Sequence, residues 1–112
     1  MPRPLQILIA ASVLLSGCAS TGPTPVAVSD PAVDRGQAFA ARRCGGCHAI
    51  GLDASPAASG PPFWKLQRRY NPLSLQKRFA EVSEHGSGEM PPIEISRAEA
   101  EDLIAYFRTL DR

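Results

Sequence analysis

Two of the chain's three cysteines and one of its two histidines fall within five residues, Cys44-Gly45-Gly46-Cys47-His48. No other segment restricts the possible fold as strongly. The spacing C-x-x-C-H is the one required to attach a c-type haem. Two thiols add across the two vinyl groups on one edge of the haem. The two intervening residues let the chain arch between those bonds. The histidine that follows is carried beneath the iron, where a neutral imidazole nitrogen is a good ligand. Gly45 and Gly46 suit the tight turn.

Three other chemistries use these residue types. A thioredoxin-like dithiol expects a strand–helix–strand context, and few β-branched runs follow residue 34. A zinc site needs four ligands in tetrahedral geometry. Cys44, Cys47, His48 and His85 are available, but Cys47 and His48 are neighbours and would have to bend onto one ion. A disulfide between Cys44 and Cys47 leaves His48 without a role.

The front of the chain points to export. Residues 1–17 hold one basic residue, Arg3, and an apolar run from Leu5 to Leu15. A membrane-spanning helix needs about 20 residues, so the run is too short to span and fits the apolar part of a secretory signal. It ends in Leu15-Ser16-Gly17-Cys18, which resembles the lipobox of bacterial lipoproteins. That resemblance implies removal of residues 1–17 and a diacylglycerol on Cys18. The uncharged stretch after it, with two prolines, has the composition of a tether. The expected organisation is a lipoprotein signal over residues 1–17, lipidated Cys18 and a flexible tether over 18–29, and one domain over 30–112. An exported chain also suits haem, since attachment in bacteria occurs outside the cytoplasm. The cysteines are then all used: two thioethers and one lipid.

The second axial ligand is expected well downstream. Met90, in Gly88-Glu89-Met90-Pro91-Pro92, is the candidate, because a thioether is a soft iron ligand that raises the reduction potential when paired with histidine. Once residues 1–17 are removed, Met90 is the only methionine left, and it lies among glycines and prolines rather than on an apolar helix face. His85 is the competitor.

With CGGCH, a later Met-Pro and helical patterns at both ends, residues 34–112 resemble a class I c-type cytochrome. The resemblance implies an all-α fold of three to four helices around one covalently bound haem c, with crossed N- and C-terminal helices. Gly36 would be the small residue at that crossing, with Phe39 nearby and Tyr106-Phe107 opposite. The family usually has an aromatic residue four places before the first haem cysteine, and here that place is Ala40. Gly60-Pro61-Pro62 matches the segment whose proline carbonyl accepts a hydrogen bond from the proximal histidine. That role falls to Pro61, in support of His48.

The residue pattern agrees with four helical segments. Asp30-Pro31 caps and starts a helix that runs to about Arg43, with Val33, Gly36, Phe39 or Ala40, and Arg43 at helical spacing. Residues 62–70 add a short helical turn. Asn71-Pro72 opens a helix with Leu75, Phe79 and Val82 inward, and Gly86 ends it. Ser96-Arg97-Ala98-Glu99 is a capping box before a helix with Ala100, Leu103, Ile104, Phe107 and Leu110 inward. Such a core is small, and covalent haem supplies apolar filling. Trp64 and Tyr70 are the aromatics placed to turn polar tips towards a haem propionate.

Twelve basic and 11 acidic side chains nearly balance, which excludes a nucleic-acid binder that works by phosphate neutralisation. The charges are split along the chain. Arg42, Arg43, Lys65, Arg68, Arg69, Lys77 and Arg78 face one acid, Asp53, between residues 42 and 78. A split of this kind steers a docking partner. The expected role is a monomeric one-electron carrier of the bacterial cell envelope. It would be periplasm-facing, anchored to a membrane through Cys18 and served by redox partner proteins, with no enzymatic activity of its own. The alternatives are a haem peroxidase or gas sensor with a dissociable Met90, and a tethered electron-transfer subunit of a larger dehydrogenase or oxidase.

Overall fold

Three of the four helices begin on a side chain that satisfies the free N–H groups of the first turn. The computed structural model describes residues 22, 28–53 and 59–111. The signal segment, Cys18 and most of the tether lie outside the described residues. The helices are α1 (Pro31–Arg43), α2 (Phe63–Arg69), α3 (Pro72–His85) and α4 (Arg97–Arg108), and among the described residues there is no strand. Asp30 accepts a hydrogen bond from the Ala32 N–H at 2.9 Å, and Asn71 accepts one from Ser74 at 2.8 Å. Ser96 and Glu99 form a reciprocal box, with Ser96 N–H donating to Glu99 at 2.8 Å and Glu99 N–H to Ser96 at 3.2 Å. Each cap contributes about 1 kcal/mol.

The expected all-α architecture is present, with α1 crossing α4 and α2 and α3 packed against α4. Gly36 makes the crossing possible. A methyl group there would collide with the carbonyl oxygen of Asp102 and stand 3.0 Å from Cβ of Tyr106. Beside that contact, Arg35 grips Asp102 with a two-pronged ion pair, Nε to Oδ2 and Nη2 to Oδ1, both at 2.8 Å. Both Phe39 and Ala40 are buried under the crossing. Arg43 is exposed, so the inward stripe of α1 passes from Ala40 to Cys44, one turn on.

Phe107 anchors the core. Its ring lies 4.5 Å from Phe63 of α2 and 5.7 Å, edge-on, from Phe79 of α3. Leu75, Leu103, Tyr106 and Leu110 complete the buried cluster. The stretch expected to add a short helical turn is a seven-residue helix, and its Phe63 is 4 % exposed. The apolar face made by Phe63, Leu66 and Tyr70 is what docks it. Gly86 ends α3 with a φ of 75°, a conformation that glycine takes without steric cost.

Candidate functional site

The C-x-x-C-H segment continues the end of α1 as a tight turn. The N–H groups of Cys44 and Gly45 both donate to Ala40 O, at 2.8 and 2.9 Å. Those of Cys47 and His48 donate to Cys44 O, at 3.2 and 2.9 Å. The turn buries Cys44 and His48 and leaves Cys47 exposed. The two thiols are not joined. Burial pushes the Cys44 thiol up to about 11, although Arg43 pulls the other way. Burial therefore makes Cys44 a poor attacking thiol. Among the described residues no three His, Cys, Asp or Glu side chains gather as metal ligands. The four-ligand zinc set is therefore not assembled.

His48 is held by a hydrogen bond and by close packing. Its Nδ1 lies 2.7 Å from the carbonyl oxygen of Pro61. A carbonyl only accepts, so Nδ1 is the donor, and in the neutral ring Nε2 is then the nitrogen with the lone pair. Gly60 lies flat against the ring: a Cβ there would be 2.7 Å from Nδ1 and 3.0 Å from Nε2. The Phe63 ring is centred 5.5 Å from the imidazole, tilted by 49°.

Three backbone carbonyls around His48 are each taken by a different part of the fold. Cys47 O accepts from Gly60 N–H and Ala49 O from Phe63 N–H, both at 2.9 Å. Ile50 O accepts from the Tyr106 hydroxyl at 2.8 Å. Burial raises the Tyr106 pKa, with nearby Asp53 adding to the shift, so the hydroxyl remains a donor. The ligand loop is thereby tied to α2 and α4.

Met90 closes a second tight turn. Its N–H donates to Ser87 O and its carbonyl accepts from Ser87 N–H, both at 3.0 Å. Gly88 inside the turn has a φ of 59°. The following strap returns to α3, where Ile95 N–H donates to Ser83 Oγ at 3.1 Å. Met90 is half-buried, whereas His85 is exposed with Nδ1 3.0 Å from Gly86 O. Trp64 and Tyr70 are both half-buried along α2 and its C-cap. The Lys65 ammonium lies 5.4 Å from the Trp64 ring, and Arg69 and Arg78 each lie 5.5 Å from the Tyr70 ring.

Over residues 31–107 the chain matches the family described as cytochrome C oxidase, cbb3-type, subunit III, a c-type cytochrome domain. The chain belongs to this family. It is a class I c-type cytochrome domain whose cofactor is haem c, covalently attached and iron-containing. Comparison with curated proteins and with solved structures finds no match. Cytochrome domains of this kind transfer electrons and interact with redox partners. They are typically exported, and among the described residues no helix is long and apolar enough to cross a membrane.

The residues of this cytochrome domain fit the haem. The two thiols stand unjoined in one turn, and His48 has Nδ1 anchored on Pro61, which leaves Nε2 as the nitrogen that would hold iron. The Gly60 backbone fills the space that a side chain would contest with the imidazole. Phe63 is the site residue that the sequence reading passed over. Its signal was the recurrence of Phe63, Leu66 and Tyr70 at helical spacing, which a seven-residue segment makes short and easy to miss.

Proposed function

We propose that this domain carries single electrons between redox partners of the bacterial cell envelope, with Cys44 and Cys47 bonded to the haem and His48 and Met90 ligating its iron. When bound, the haem supplies one-electron oxidation and reduction at iron. The observation that carries the reading is the hydrogen bond from His48 to Pro61. It orients the imidazole, fixes its tautomer and makes Nε2 a stronger donor. Pro61 therefore acts through its backbone carbonyl, as a positioning residue. Met90 sits in a turn clamped by its own backbone, which supports it as the residue that would supply the thioether. Two ligands held by separate backbone clamps leave little to rearrange between oxidation states.

Acid–acetone treatment tests the attachment. Haem should stay with the polypeptide, and replacing both Cys44 and Cys47 with Ser should release it. Free extraction of haem from the unaltered protein would end the proposal. The anchor is tested separately. Mass spectrometry should find an acylated Cys18 as the first residue, and Cys18→Ser should abolish membrane association. An unmodified terminus further along the chain would make the protein a free periplasmic carrier.

All seven cations between residues 42 and 78 are exposed. Lys77 and Arg78 share Glu81 at 4.0 and 3.1 Å. Lys65, Arg68 and Arg69, on α2, have no acidic side chain within their helix. This supports a basic docking face, where long-range charge speeds the encounter with a partner. Association that is insensitive to salt would contradict it. A second reading, an electron-transfer subunit of a larger oxidase, is favoured by the description of the matched family. Stable co-purification with membrane-bound oxidase subunits decides between the two.

A further inference from the structure

Among the described residues, one side-chain polar atom is buried without a hydrogen-bond partner: Oε1 of Gln67, on α2. An unpaired buried amide costs about 1–3 kcal/mol, so its surroundings need a polar group to complete it.

The position of Gln67 on α2 says which group. Gln67 follows Phe63 by one helical turn, on the same face, and the Phe63 ring lies against the His48 imidazole at 5.5 Å. Gln67 also stands midway between Trp64 and Tyr70, each three residues away, and all three are half-buried. The amide thus belongs to the side of α2 that borders the proximal ligand. A haem is apolar around its whole edge except for two propionates. Those are the groups of the cofactor that a buried amide can pair with.

The polarity of the contact follows from the chemistry. An ionised propionate only accepts, so it needs the amide's Nε2–H. A half-turn about the terminal side-chain bond exchanges Oε1 and Nε2 with almost no change of shape. Lys65, Arg68 and Arg69 are exposed on the same helix, and none of its residues is acidic. That charge favours an ionised carboxylate beside α2. We propose that Gln67 binds a haem propionate, donating a hydrogen bond from its side-chain amide. The proposal rests on the reading of His48 as the proximal ligand.

The test uses the intact haem protein labelled with 15N. The Gln67 side-chain NH2 signals should move between the ferrous and ferric states, because they lie at the edge of the haem. A donor to the ionised form lowers a carboxyl pKa, and its removal raises it. Gln67→Leu should therefore shift the pH dependence of the midpoint potential to higher pH. Gln67→Glu should shift it further in the same direction, since two carboxyls would then compete. In both variants the haem should stay attached with its axial-ligand spectrum unchanged. Gln67 signals that are identical in both redox states would overturn the proposal, whether or not the variants fold. So would a Gln67→Leu potential–pH curve that superimposes on that of the unaltered protein. Loss of the His48-ligated spectrum from the unaltered protein would instead overturn the reading of the proximal ligand, and this one with it.

Discussion

Nδ1 of His48 and the carbonyl oxygen of Pro61 lie 2.7 Å apart, across thirteen residues of chain. The bond forms because Gly60 lets its backbone press against the imidazole. In Gly60→Ala the new methyl would sit 2.7 Å from Nδ1, so either the ring or the loop must retreat. Overpacking of this kind costs about 1–3 kcal/mol. The variant should unfold at lower denaturant and show a higher midpoint potential, because His48 without its hydrogen bond is a weaker donor to ferric iron. Potentiometric titration checks the second effect. An unchanged potential would mean that the bond survives the methyl group or does not tune the iron.

Gly36→Ala should open the crossing of α1 and α4. The methyl meets the carbonyl of Asp102, a backbone atom that cannot rotate away. Alanine's better helix propensity returns about 1 kcal/mol, less than the collision takes. A net loss of about 2 kcal/mol would lower the thermal midpoint by roughly 10 °C. Gly46→Ala is the control, since nothing lies within 4 Å of its new methyl.

Met90→Ala should leave the thioethers intact and the turn closed, because both Ser87–Met90 hydrogen bonds are made by backbone atoms. It should remove the near-infrared band of methionine-ligated ferric haem, lower the potential and admit carbon monoxide to the iron. His85→Ala should change none of these. The reverse pattern would make His85 the ligand and the protein a bis-histidine cytochrome.

Stability should depend on Asp102 in a pH-dependent way. The hydrogen-bonded Arg35 guanidinium holds the Asp102 carboxyl below its ordinary range. The folded protein therefore binds that proton less readily than the unfolded chain. The contribution is full above the unfolded carboxyl pKa of about 3.9, and it is lost as pH falls through the folded value. Asp102→Asn should be less stable than the unaltered protein at neutral pH, with the gap closing on acidification. Denaturant unfolding at a series of pH values measures it. A gap that is constant with pH would assign the loss to packing rather than to charge.

The sequence by itself determined what is settled within a few residues. Asp30, Asn71 and the Ser96–Glu99 pair cap helices by bonds that reach two or three residues, so the starts of α1, α3 and α4 were legible as local chemistry. The turn at Cys44–His48 and the end of α3 at Gly86 were legible for the same reason. Pro61 was a different matter, since nothing in its own neighbourhood requires a histidine thirteen residues away. It entered through a family resemblance alone.

Tertiary structure decided the contacts between segments that are distant in the chain. Phe63 takes its place between His48 and Phe107 only once α2 has docked on α4. Tyr106 reaches Ile50 across 56 residues and Arg35 reaches Asp102 across 67. Each depends on the angle and register at which helices meet, and these follow from how whole faces of side chains interlock. The orphaned amide of Gln67 has the same origin. A glutamine at that position reads as polar and soluble in the sequence, and its Oε1 becomes buried and unpaired only when α2 turns Phe63 inward and takes Gln67 with it.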